Sequence, residues 1–137
     1  MRIEPYLFFE GRCDEALAFY AEAVGAQVTM LMRYSDSPEP PAPGMIPAGS
    51  EDKVMHANVR VGDTTFMASD GNCRGEPDFR GFSLSLTAAD EAEAKRAFIA
   101  LAEGGQVLMP LGKTFFSPCF GMLTDRFGVG WMVIVPA

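Results

Sequence analysis

The chain has 137 residues, 48% of them hydrophobic, enough apolar surface for one well-buried core and too little length for two large independent domains. Eighteen acidic against eleven basic residues give a formal charge of -7, so there is no excess of Lys and Arg to displace the counterions of a nucleic acid. Three widely spaced cysteines, Cys13, Cys73 and Cys119, form no C-x-x-C pair and read as reduced thiols of a cytoplasmic protein; the start, with Glu4 and Pro5 ahead of a short strand-like run, lacks the pattern of a secretory leader or membrane span.

In chain order, Ile3 to Phe9 is a β-type run, followed by a turn at Gly11-Arg12. Ala16, Leu17, Tyr20, Ala23 and Val24 then recur at helical spacing, and Gly25 supplies a left-handed stop. Val28 to Tyr34 is a further apolar strand. Half of the ten prolines fall between Pro38 and Pro47, so residues 35–52 cannot join a ladder and form a long loop, either a lid over a site or an ornament.

Met55 to Val61 and Thr64 to Ser69 read as two strands joined at Gly62-Asp63, and Gly71 to Gly81 as the join between halves. Phe82 to Leu86 opens a second round as a strand. Asp90 with Glu93 offers a capping box to a helix whose buried stripe is Ala94, Ala97, Phe98 and Leu101. Val107 to Leu111, Phe120 to Thr124 and Val129 to Val135 complete the set, the last two joined through Asp125-Arg126-Phe127-Gly128.

Asp14-Glu15-Ala16-Leu17 leading to Gly25-Ala26-Gln27-Val28 is echoed by Asp90-Glu91-Ala92-Glu93 leading to Gly104-Gly105-Gln106-Val107. One supersecondary unit is therefore used twice. The fold class is α+β: two tandem βαβββ modules within one domain over residues 1–137, module one about 1–75 and module two about 76–137.

Alternation sorts each strand into two faces. Met55, Ala57, Val59 and Val61 oppose His56, Asn58 and Arg60; Phe66 and Ala68 oppose Thr65, Met67 and Ser69; Phe82, Leu84 and Leu86 oppose Ser83 and Ser85. The apolar face packs under helices, and the mixed face is where function is sought.

Pro5-Tyr6-Leu7-Phe8-Phe9-Glu10-Gly11, Phe19-Tyr20, His56-Ala57, Val61-Gly62-Asp63, Met67-Ala68-Ser69-Asp70, Phe120-Gly121-Met122 and Asp125 through Met132 together resemble the PhnB-like branch of the glyoxalase and vicinal-oxygen-chelate superfamily, over essentially the whole chain. The resemblance implies curled half-barrel sheets with helices on the outer face and a cavity that holds a divalent metal in many members. The ligand positions of those members fall here, by motif, on Pro5, Met67, Ser83 and Met132, none of which suits a hard divalent ion. No catalytic metal and no cofactor is therefore expected; a relocated site would have to draw on His56 with Asp70 or Glu4.

The expected cavity wall comprises Leu7, Phe9, His56, Asn58, Met67, Ser83, Ser85 and Met132, with Lys113, Thr114 and Arg60 at its mouth. His56, the single histidine, suits either a general base or a hydrogen-bonded strand residue. Cys119 suits a nucleophile only if His56 approaches it, and otherwise a buried thiol. Trp131 shares its face with Val129, Val133 and Val135 and is assigned to the core.

The expected function is small-molecule binding, with a metal-dependent lyase or transferase of glyoxalase or antibiotic-resistance type, and a drug-sequestering protein, as alternatives. The resemblance also implies a homodimer. Some relatives carry a label suggesting quinone methyl transfer, yet no strand here runs through a Gly-rich turn into a helix that would cradle a nucleotide-like methyl donor.

Overall fold

The computed structural model describes residues 1–137, which divide into two compact units, Met1–Pro77 and Asp78–Ala137. The first contains β1 (Tyr6–Phe8), α1 (Cys13–Val24), β2 (Gln27–Arg33), β3 (Val54–Val61) and β4 (Thr64–Ser69). The second contains β5 (Ser83–Thr87), α2 (Glu91–Ala102), β6 (Gln106–Gly112), β7 (Cys119–Thr124) and β8 (Gly130–Val135). Each forms a curled four-stranded sheet of the same design, ordered β1-β4-β3-β2 and β5-β8-β7-β6, with the opening strand parallel to the closing one and the other pairs antiparallel. The doubled βαβββ pattern is thus present in full.

In the first unit, α1 lays Ala16, Leu17 and Tyr20 on the apolar face of its sheet. Tyr20 meets the rings of Phe9 and Phe66 at centroid distances of 6.1 and 6.3 Å. Gly25 ends the helix with φ 70°, a left-handed conformation that costs glycine nothing, and its N–H closes onto the Ala21 carbonyl.

In the second unit, the Asp90 carboxylate caps α2 by accepting the Glu93 N–H at 2.8 Å. The helix buries Ala94, Ala97, Phe98 and Leu101 over β7 and β8, where Leu123, Trp131 and Val133 point inward. Phe98 reaches the sheet because position 121 is glycine; a β-carbon there would stand 2.7 Å from the Phe98 ring. Trp131 is core, as assigned, and the motif around it is structural. Asp125 accepts from the N–H groups of Phe127 and Val129 and from the Trp131 indole at 2.9 Å, tying the β7–β8 turn to the strand that follows.

Two details depart from the alternation. β1 is short and presents Tyr6 and Phe8 to the open face while Leu7 and Phe9 are fully buried. Leu7 and Phe9, expected on the cavity wall, are instead core residues beneath α1: Phe9 is held there by Tyr20, and an all-apolar run gives alternation nothing to choose between. In β3, Met32 pairs with His56 and Arg33 with Val54, leaving Met55 as an extra bulged residue. The bulge buries Val54 completely and turns Met55, expected on the helix side, outward.

Candidate functional site

On the open face of the first sheet, β1, β4, β3 and β2 bring Tyr6, Met67, Asn58 and Met30 into one row. Beside it, His56 is held at both ring nitrogens. The Tyr6 hydroxyl lies 2.9 Å from Nδ1, and Asn58 Oδ1 lies 2.8 Å from Nε2. The Asn58 oxygen facing Nε2 and the Tyr6 hydroxyl facing Nδ1 suit the tautomer that carries its proton on Nε2. His56 is therefore a satisfied strand histidine.

The Tyr6 ring stacks on Phe8 with centroids 4.8 Å apart. These two rings form part of the wall of a pocket of about 430 Å³, within the size range of small-molecule sites. Met55, Ser69 and Tyr34 extend that wall, and residues from Ser37 to Met45 of the proline-rich loop close another side. The loop thus contributes a wall of this pocket.

Three networks hold this wall. The Asp70 carboxylate, fully buried, accepts the N–H of Gly11 at 2.9 Å and of Cys13 at 2.8 Å on one oxygen and of Val54 at 2.8 Å on the other. It fills the start of α1 and pins that turn to the start of β3. Tyr34 donates its hydroxyl proton to the Gly71 carbonyl, and burial, followed by the neighbouring Cys73 and Asp70, holds the phenol above its ordinary pKa. Arg33 grips Asp14 with both guanidinium nitrogens at 2.9 and 3.0 Å and donates to the Asp52 carbonyl, tying α1 to the end of the loop.

The expected residues fall into separate groups. His56 and Asn58 are in direct contact, and Met67 is the cross-strand neighbour of both Tyr6 and Asn58. Ser83, Ser85 and Met132 lie in the second unit, where Ser85, Met132, Met122 and Met109 form a row on the open face of that sheet. Arg60 is exposed and bonded to Gln27, Lys113 is exposed, and Thr114 is spent in a turn with Ser117. Cys119 is buried on the helix side of β7 with Gly121 and Leu123, the disposition of a packing thiol. Tyr6, Phe8 and Tyr34 were not singled out; aromatic residues next to a lone histidine on neighbouring strands are the signal that points to them.

The donor chemistry at the superfamily's metal positions does not fit a hard divalent ion. The strand register puts Tyr6, not Pro5, opposite Met67, and Ser85, not Ser83, opposite Met132, which gives a phenol, a hydroxyl and two thioethers. The relocated alternative fails on occupancy of its ligands. Both Asp70 oxygens are committed to backbone N–H groups, Glu4 is engaged by Arg2 and Thr65, and no group of three or more His, Cys, Asp or Glu side chains is arranged to hold an ion.

A doubled, curled βαβββ sheet with an open mixed face is the fold of a PhnB-like protein, and a glyoxalase-related enzyme shares that fold. More particularly, residues 1–134 match the family described as 3-demethylubiquinone-9 3-methyltransferase, and the chain belongs to that family. It is 34% identical over 140 residues to the protein YjdN of Escherichia coli K12, covering 98% of this chain and 95% of that protein. Among solved structures it resembles PA1353 of Pseudomonas aeruginosa, with a TM-score of 0.85 and 45% identity over 99% of this chain and 98% of the other. It also resembles the PhnB protein of Bacillus cereus, with a TM-score of 0.79 and 32% identity over 98% and 99%. No helix is long and apolar enough to cross a membrane.

Proposed function

We propose that the protein binds a small, largely apolar molecule in the pocket walled by Tyr6, Phe8 and the proline-rich loop, and that it does so without a resident metal. The observation that carries this reading is the Tyr6–His56–Asn58 chain, a fixed polar contact delivered to the edge of an aromatic pocket of ligand size. His56 and Asn58 act as positioning residues for the Tyr6 oxygen, and Met67 flanks it. Ser83, Ser85 and Met132, on the second sheet, do not line this pocket and are no part of the proposal.

Methyl transfer, the activity in the family's description, stays outside the proposal. The two strand-to-helix turns at which a nucleotide-like donor would seat are filled by the chain's own carboxylates, Asp70 at α1 and Asp90 at α2. We also propose a homodimer. β2 and β6 are edge strands that expose Val28 and Met30, and Val107, Leu108 and Met109, which is the kind of apolar edge that soluble proteins cover. The three free thiols suit a reducing cytoplasm.

The test is native mass spectrometry and thermal melting of untagged protein, with elemental analysis of the same sample. A co-purifying or added organic ligand that raises the melting temperature, is lost in Tyr6→Ala and is recovered unchanged supports binding. Stoichiometric transition metal, or turnover of a glutathione adduct of methylglyoxal, would replace this reading with the metal-dependent one. A monomer at all concentrations in solution scattering would remove the dimer.

A further inference from the structure

The pocket wall carries one charged side chain, that of Glu39, and this says which sign of charge it favours. Tyr34 donates its hydroxyl proton to the Gly71 carbonyl, which leaves its oxygen with lone pairs for a ligand; the Tyr6 hydroxyl is paired with His56 Nδ1, and Ser69 and Asn72 add neutral polar groups. Glu39 stands in the loop wall, and no Lys, Arg or His lines the cavity. The backbone at Glu39 is fixed, because the Ser37 hydroxyl donates to its carbonyl at 2.7 Å and accepts its N–H at 3.2 Å. Three aromatic rings, those of Tyr6, Phe8 and Tyr34, complete the lining, and the faces of such rings are electron-rich.

Nearby cations are committed elsewhere. Lys53 donates to the Gly11 carbonyl, Arg33 is locked on Asp14, and Arg74 donates to the Gly44 carbonyl of the loop at 3.4 Å. An anionic ligand would meet a carboxylate with no cation in the lining, whereas an organic cation would meet a carboxylate and π-faces.

Resting on the binding reading above, we propose that the pocket selects an organic cation, a substituted ammonium group carried on a compact apolar or aromatic body, over neutral and anionic molecules of the same shape. Glu39 supplies the charge and the Tyr6, Phe8 and Tyr34 rings the apolar and cation–π contacts.

Three benzyl probes carrying a cationic, a neutral or an anionic tetrahedral group separate the possibilities: benzyltrimethylammonium, its neutral carbon isostere neopentylbenzene, and benzylphosphonate. Titrated into the full chain and followed by ligand-observed NMR, the cation should bind about tenfold or more tighter than the isostere, and benzylphosphonate should be weakest. Glu39→Gln, an exposed loop change compatible with folding, should close most of the gap between cation and isostere. Asp63→Asn, on the exposed β3–β4 turn outside the pocket, should leave it intact. Phe8→Leu should weaken the cation about fivefold.

Equal binding of cation and isostere, a gap unchanged by Glu39→Gln, or tighter binding of the phosphonate would overturn the charge preference while leaving the pocket as a binding site. If none of the three bound, the binding reading itself would fall with it.

Discussion

Replacing Asp70 with Ala should do more damage than any other single polar change in the first unit. The carboxylate is inaccessible to solvent and accepts three backbone N–H groups, from Gly11, Cys13 and Val54, which belong to segments far apart in sequence. Truncation leaves those donors without partners, at about 1–3 kcal/mol for each buried group, so a loss of about 3–6 kcal/mol follows if part of the deficit is met by water. Against a typical total of about 5–15 kcal/mol, that is a large share. Asp70→Asn keeps the shape and one acceptor, so it should lose about half as much: its oxygen can serve Gly11 and Cys13 while its NH₂ faces the Val54 donor. Guanidinium denaturation at neutral pH, with the slope checked to be unchanged, measures both variants. The exposed pair Arg33–Asp14 provides the comparison, since Asp14→Ala should cost no more than about 1 kcal/mol. A cost below about 1 kcal/mol for Asp70→Ala would refute the assignment of Asp70 as the clamp of the pocket wall.

Gly105→Ala should be severely destabilising, by about 3 kcal/mol or more in chemical denaturation, because the new β-carbon would lie 2.1 Å from the Thr124 carbonyl oxygen; a near-neutral result would mean that β7 can retreat. Tyr6→Phe keeps the stack on Phe8 but leaves His56 Nδ1 without its donor. It should cost about 1 kcal/mol and change the His56 ring-nitrogen shifts in NMR, and unchanged shifts would show that the contact is not made. Above pH 9 the fold should weaken. Burial raises the pKa of the Cys13 and Cys73 thiols from 9.0 and of the Tyr34 phenol from 10.0. The stability these groups contribute is complete below their unfolded values and is lost as pH rises toward the folded ones. Melting temperature followed from pH 8 to 11 should fall, and Cys13→Ala should flatten the fall; an identical slope in the variant would exclude Cys13 as a contributor.

The repeated βαβββ order was legible because each helix announces its ends, Gly25 for one and Asp90 for the other, and because Gly62 marks the β3–β4 turn with φ 58°. His56 and Asn58 were legible as a polar pair because β3 alternates cleanly between Ala57, Val59 and the residues between them. The wall of the pocket was not. From Tyr6 to Phe9 every residue is aromatic or aliphatic, so the choice between Leu7 with Phe9 and Tyr6 with Phe8 is made by packing against Tyr20 on α1. Met55 faces the pocket because of a bulge, and a bulge depends on pairing with β2 that a single strand does not encode. Asp70 shows the same limit: its three partners are brought together by the fold, and nothing in Ser69-Asp70-Gly71 names them.

The nine methionines offer the most direct test of where the ligand sits. Met45 and Met55 line the proposed pocket, whereas Met109, Met122 and Met132 form the row on the second sheet. With methyl-labelled methionine, saturating benzyltrimethylammonium or neopentylbenzene should shift the Met45 and Met55 methyl signals through the ring current of the bound arene. The Met109, Met122 and Met132 signals should stay in place. Shifts confined to Met109, Met122 and Met132 would contradict the account and move the site to the other sheet.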